Sequence, residues 1–383
     1  MTTPADLLPA EELRLKHERL TTVLEETGAD AVVLSSAGAL SWLLAGARVH
    51  ISLAGPPILR AVVHQEGVEV GVFSNEAARI RAEEIPELLD GEVPVTVHVL
   101  DWYADVDDVA GWLPQTAGWT LADEGSAALP LRVARASLLP AEVERYRTLC
   151  RRSAEALTDV LSDVTPETTE RELAAALAPR IIGFGADPVV LLAQGATRAE
   201  HRHPLPTDAA LGRRAMAVIC ARQGGLISNV TRWVSFGDPV PGEEELDAAI
   251  MAVEADVFST LQPGARLESV LEELKAAYPR HGLDADEWTK HHQGGAAGYQ
   301  GRDPRVSPGV PDVIHANQPF AWNPTGWREG LLPDGGGIGA KVEDTVVLRA
   351  GEQGQPRIDV LSVDERWPTV EVAGRRRPAV LRR

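Results

Sequence analysis

The sequence predicts an α+β protein of two domains, a smaller α/β domain over residues 1–139 and a larger one over residues 140–383. Three observations carry this. A chain of 383 residues is long enough for more than one hydrophobic core. The first third alternates helical and strand patterns and breaks off at Leu139-Pro140. The remainder opens with long amphipathic helices and then collects a hairpin and several short apolar strands, the pattern of a largely antiparallel sheet backed by helices.

In order, Leu13, Leu20 and Leu24 recur at helical spacing over Glu11–Glu26, and Gly28 is the expected stop. Ala31–Leu34 (AVVL) reads as a buried strand, and Ser41–Ala45 (SWLLA) as a second apolar stretch. Leu59–His64 and Val68–Phe73 flank the turn Gln65-Glu66-Gly67 and predict a hairpin. A helix is expected over Glu76–Leu89 and a strand over Val93–Leu100. Past Pro140, helix Ala141–Leu161 carries Val143, Tyr146, Cys150, Leu157 and Leu161 along its apolar side. Thr169 with Glu172 has the spacing of a capping box. Ala215–Ala221 and Gly224–Ser235 read as a second hairpin, Glu243–Leu261 and Leu267–Tyr278 as helices split by Pro263-Gly264. Phe320–Trp322, Gly339–Val342 and Thr345–Arg349 are short strands.

Composition excludes several function classes. Hydrophobic residues make up 44 % and charged residues 24 %, ordinary for a globular protein. A net charge of −19 argues against a nucleic-acid or anionic-membrane partner. No apolar run approaches the roughly 20 residues of a membrane span. The polar, acidic opening MTTPADLLPAEELRLKHERL does not read as a secretory signal. Cys150 and Cys220, the two cysteines, form neither a disulfide framework nor a cysteine metal site. A cytoplasmic protein is expected.

Chemistry concentrates in Trp288–Arg305, WTKHHQGGAAGYQGRDPR. His291 and His292 open it. Neighbouring residues of a strand face opposite ways, so one of them is expected toward a cleft and the other behind it. The glycines that follow permit close approach of backbone or ligand. Four more stretches pair a short apolar segment with polar residues: Glu200–Pro204 (EHRHP), Gly225–Arg232 (GLISNVTR), Gln318–Pro324 (QPFAWNP) and Gly339–Thr345 (GAKVEDT). Taken singly, each is also what a turn, a packed histidine or a solvated strand end looks like.

In this order, the five stretches resemble the creatinase, aminopeptidase P and prolidase family, whose larger domain has the pita-bread fold. SSAGALSWLLAG is similar to its N-terminal domain, SNVTR to its Ser-Asp-x-Thr-Arg segment, HHQGG to its metal-binding histidine, FAWNP to its Glu-Pro segment, and GAKVEDTVVL to its terminal Glu-Asp-Thr segment. The resemblance covers nearly the whole chain. It implies a pita-bread C-terminal domain, a smaller creatinase-type N-terminal domain and a homodimer.

Peptidases of that family hold two divalent cations with two Asp, one His and two Glu. Carried over, these positions fall on Val218, Asn229, His292, Asn323 and Glu343. Two hard dications want carboxylate oxygens, and one carboxylate remains. The resemblance therefore implies no metal and no other cofactor. Creatinase itself is metal-free and works through a histidine. That histidine matches His201 or His203 here, a choice left open, and Thr231 stands where creatinase has a Glu, so creatine is not the expected substrate. The expected catalytic residues are His203, His201, His292 and Glu343. The expected substrate contacts are His291, Asn229, Asn323, Thr231, Arg232, Tyr299 and Arg302, with Arg305 as a further carboxylate binder and a structural alternative for Arg232.

The leading expectation is a metal-independent, creatinase-like hydrolase that cleaves a C–N bond of a small amide, amidine or peptide-like substrate by histidine acid–base catalysis. Alternatives are a non-catalytic binding protein of the same fold, a metal-dependent Xaa-Pro-type aminopeptidase, and a lyase or cyclase step in a biosynthetic pathway.

Overall fold

Helix Pro9–Thr27 starts on a proline, whose missing N–H costs nothing in a first turn, and ends where Gly28 turns left-handed at φ 67°. It opens a computed structural model that describes residues 7–332, 335–351 and 355–383. The chain forms two compact units, Met1–Glu144 with Gly224–Leu226, and Arg145–Gln223 with Ile227–Arg383.

The first unit is built on a five-stranded mixed sheet, in the order Val95–Leu100, Gly67–Phe73, Leu59–His64, Ala31–Leu34, Leu121–Asp123. Ala31–Leu34 runs antiparallel to Leu59–His64 and parallel to Leu121–Asp123. One apolar stretch of unassigned type proves helical, and one expected helix fails locally. The apolar run Ser41–Ala45 falls largely in helix Ala37–Leu43, started by Ser36, whose hydroxyl accepts from the Ala39 amide at 3.2 Å. The expected helix Glu76–Leu89 is broken into Ala77–Arg79, a π turn Ile80–Glu84 and a 3-10 turn Pro86–Leu88. Pro86 has no N–H to continue the ladder, so the helix has to stop before it.

Helix Pro140–Leu161, most of which belongs to the second unit, buries Val143, Tyr146, Cys150, Leu157 and Leu161. Helix Glu170–Gly183 begins in the expected capping box: Thr169 Oγ1 accepts from the Glu172 amide at 3.1 Å, and Glu172 Oε2 accepts from the Thr169 amide at 2.8 Å. Replacing Thr169 by Ala is expected to lower stability by about 1 kcal/mol, read as a shifted urea midpoint at constant slope.

Two four-stranded sheets carry this unit. One has the order Leu381–Arg382, Leu226–Ser235, Arg214–Gln223, Asp187–Gln194. The other has Pro356–Val360, Asp344–Ala350, Gln318–Trp322, Gly294–Ala296, antiparallel throughout. Helices Glu243–Thr260 and Leu267–Arg280 pack over the second sheet, burying Leu246, Val253, Leu274 and Tyr278 against Phe320, Trp322 and Val346. The edge strand Asp187–Gln194 was not expected from the sequence. It carries Pro188, and its pairing slips between Pro188 and Val190.

Candidate active site

Isolated bridges join the hairpin strand Leu226–Ser235 to the segments beside it. The Thr231 amide donates to the Glu343 carbonyl at 3.0 Å, and the Ile227 amide to the Gly298 carbonyl at 2.8 Å. These bonds bring SNVTR, GAKVEDT and the Gly-rich stretch to one place. Thr345 Oγ1 adds to them, accepting from the Asn229 amide at 2.8 Å and donating to the Asn229 carbonyl at 3.1 Å. The Gly-rich stretch must be glycine here. Gly294 sits at φ +122°, and a Cβ on it would meet the Ala321 carbonyl oxygen at 2.5 Å.

Three imidazoles meet beside these strands. One ring nitrogen from each of His203, His291 and His292 lies within 4.8 Å of the other two. His291 Nε2 and His203 Nε2 share a hydrogen bond at 3.0 Å. The His291 and His292 rings stack at 4.3 Å between centroids, and His203 lies 4.7 and 5.4 Å from them. The expectation that His291 and His292 face opposite ways is therefore overturned. They follow the 3-10 turn Glu287–Lys290 and precede the strand at Gly294, so strand alternation does not apply to them. Gln293 holds this corner, donating to the His291 carbonyl at 2.7 Å and the Trp288 carbonyl at 2.9 Å and accepting from Tyr278 Oη at 2.7 Å. Arg202 pairs with the buried Glu287, which ties the EHRHP loop to the same turn.

Next to the imidazoles lies a carboxylate with its own counter-ions. Glu343 Oε1 accepts from Arg302 Nη2 at 2.8 Å. Its Oε2 accepts from Thr231 Oγ1 at 2.7 Å and faces Lys341 Nζ at 3.3 Å. Arg302 Nη1 reaches Asn229 Oδ1 at 2.9 Å, so one guanidinium bridges two positions that the family resemblance assigns to metal ligands. Burial pushes the Glu343 carboxyl up, but Lys341 and Arg302 more than offset it and hold it at about 2. Burial and the neighbouring cations also keep the imidazoles uncharged: His292 is lowered to about 3, His291 falls far below its usual range, and His203 is lowered, with Lys341 the next cause after burial. Burial raises the Cys220 thiol, whose Sγ donates to Asn229 Oδ1 at 3.4 Å, to about 12.

These residues do not fit a pair of divalent cations. Both oxygens of Glu343 are engaged by cations and a hydroxyl. Asn229 Oδ1 accepts from Arg302 and Cys220, while its Nδ2 donates to the Ile227 carbonyl at 3.0 Å. Val218 packs with Leu192, Met216 and Trp233 in an apolar cluster.

Of the other expected residues, His201 lies outside the imidazole cluster, half-exposed, with its Nε2 at 4.0 Å from Glu200. Arg232 is a framework residue: its Nη2 donates to Asp344 Oδ1 at 2.9 Å and to the Ser362 carbonyl at 2.8 Å. Its two-pronged guanidinium is thus already committed, in keeping with the structural one of the two roles expected of it. Tyr299 is buried beside the bridge at Gly298. The buried Asn323 Oδ1 has no hydrogen-bond partner, and the same holds for His291 Nδ1, His292 Nδ1 and Arg302 Nε. Lys341 and Gln293 were missed. Lys341 was legible, because it stands two residues before Glu343 and so shares its face of an extended segment.

Comparison with known proteins agrees with this fold. The family model described as metallopeptidase family M24 matches residues 144–350. No curated protein matches. Among solved structures, the prolidase from Pyrococcus horikoshii is similar at 16 % identity with a TM-score of 0.69, over 92 % of this chain and 99 % of its own. The dipeptidase PepE from Mycobacterium ulcerans is similar at 18 % and 0.71, over 93 % and 97 %. The N-terminal domain of FACT complex subunit SPT16 from chickpea (Cicer arietinum) is similar at 12 % and 0.68, over 92 % and 96 %. The expected two-part, pita-bread architecture is the one these structures share. With the family match running over more than half of its length, the chain belongs to metallopeptidase family M24.

Proposed function

We propose that this protein is a hydrolase that cleaves a C–N bond of a small amide, amidine or peptide-like substrate without the two-metal centre, using its imidazoles for proton transfer. One observation carries the reading: three uncharged imidazoles converge beside Glu343, whose charge is already balanced by Arg302 and Lys341. A divalent pair would have to displace both cations to reach that carboxylate. An uncharged imidazole needs no such help to take a proton from water, and its other nitrogen can return one to the leaving amine. His203 is the exposed member of the cluster and the one a substrate reaches first. Arg305 is exposed, carries no ion pair among the described residues, and sits close enough for its charge to act on His203 and His292. It is suited to dock a substrate carboxylate bidentately. The similar solved structures named prolidase and dipeptidase support a peptide-like substrate. The fold alone does not decide, since it also serves a FACT complex subunit.

The test is turnover of dipeptides and N-acyl amino acids by protein dialysed against chelator. Hydrolysis that persists at full rate is the expected result. Turnover that vanishes with the chelator and returns on adding two equivalents of a divalent metal per chain would refute it.

The pH profile gives a second check. A base works when unprotonated, and the pKa values of all three imidazoles lie below the ordinary 6.5, with His292 near 3. The charged groups facing them are Lys341, Arg302, Arg305, Arg202 and Glu343. Activity should therefore hold as pH falls through 6.5 and decline only below it. A decline centred at or above that pH would contradict the assignment.

A further inference from the structure

We propose that His203, His291 and His292 together form a binding site for one late transition-metal ion, distinct in ligand set and stoichiometry from the family's carboxylate-bridged pair. The inference rests on reading these imidazoles as the working site, and it adds what else they can hold.

The geometry is the warrant. Tetrahedral coordination with metal–nitrogen bonds of about 2.0–2.1 Å places ligand nitrogens about 3.4 Å apart. His203 Nε2 and His291 Nε2 stand at 3.0 Å, and the group as a whole lies within 4.8 Å. An opening of about 0.4 Å between His203 and His291 and a closing of up to about 1.4 Å elsewhere in the group would seat an ion. His203, the exposed member, is the ring freest to adjust, and it already lies against the other two imidazoles. Without an ion the arrangement is poorly satisfied. Among the described residues, a single hydrogen bond joins the three rings, and the buried Nδ1 of His292 has no partner.

Donor chemistry selects the ion. Neutral imidazole suits zinc, cobalt, nickel and copper, whereas magnesium and calcium want oxygen ligands. Three protein nitrogens leave a coordination position open on the exposed side of His203. Lys341, Arg302 and Arg305 lie nearby and oppose a dication, which puts the expected affinity in the micromolar rather than the nanomolar range. The lone pairs that hold the ion are those that proton transfer uses, so a loaded cluster is a silenced one.

Cobalt(II) and zinc(II) titrations of chelator-dialysed protein test this, followed by visible absorption and calorimetry. One equivalent should bind per chain, with the visible band of nitrogen-ligated cobalt, and magnesium and calcium should not bind. His203→Gln, His291→Gln and His292→Gln should each weaken cobalt binding about 100-fold or more, since each removes one of three ligands. Glu343→Gln should change it by less than about tenfold. Circular dichroism verifies folding of each variant, and His203, being exposed, is the safest of them. Absent binding, two equivalents per chain, or binding lost in Glu343→Gln but kept in His203→Gln would overturn the site. A separate arm addresses the catalytic reading. Turnover in chelator that zinc abolishes agrees with both proposals. Turnover that requires one equivalent of zinc leaves the site standing and refutes metal-free catalysis. Turnover untouched by zinc, with no zinc bound, refutes the site alone.

Discussion

Replacing His203 by Ala is expected to lower kcat/KM by about 10²–10⁴, roughly 3–5 kcal/mol of transition-state stabilisation. His292→Ala should fall in the same range, and His201→Ala should stay within about threefold of wild type. The contrast follows from position. His203 shares a hydrogen bond with His291 at 3.0 Å, whereas the polar neighbour of His201 is Glu200, in its own loop. The measurement is steady-state hydrolysis of the fastest dipeptide or N-acyl substrate by chelator-dialysed protein. If His203→Ala and His292→Ala both keep wild-type rates within about threefold, the imidazoles are not the acid–base pair. Loss in kcat with KM unchanged would place the effect on chemistry rather than on binding.

The structure also shows which parts of the site were legible in the sequence. SNVTR and GAKVEDT were readable because strand alternation fixes which of their residues share a face, and Thr231 and Glu343 do meet at 2.7 Å. The choice between His201 and His203 was not. Both lie in an irregular loop, and what orients it is the pair between Arg202 and Glu287, 85 residues apart. The stacking of His291 on His292 was misread for the same reason: it depends on a 3-10 turn and on the Gln293 bonds, neither of which has a period to read. In the fold, strongly periodic elements such as Pro140–Leu161 were found nearly to the residue. The helix expected at Glu76–Leu89 was over-read, because its apolar spacing outweighed the proline inside it. Arg232 shows a further limit. Its bond to Asp344 joins residues 112 apart, and only the assembled sheet turns a candidate ligand-binding arginine into a framework one.

Replacing Glu343 by Gln is expected to destabilise the chelator-dialysed protein by about 3–5 kcal/mol, because it leaves the buried Lys341 and the partly buried Arg302 without their shared counter-ion. The sign is what makes this informative. In a centre built for two divalent ions, clustered carboxylates repel one another when the metal is removed, and neutralising one of them relieves that repulsion. Here the cluster has one carboxylate and two cations, Glu343 and Lys341 buried and Arg302 partly so, and Glu343 stays ionised down to about pH 2. Its removal therefore leaves two like charges facing each other. Urea unfolding of wild type and variant, compared at equal slope, reads the difference. Pairing the change with Arg302→Gln should recover part of the loss, since the double variant lacks both the anion and one of the stranded cations. Such a double-mutant cycle isolates the interaction between the two residues. A Glu343→Gln protein as stable as wild type, or more so, would mean that Arg302 and Lys341 are not what holds this carboxylate in place. Arg302 and Lys341 would then not take the part that a metal pair plays in the family.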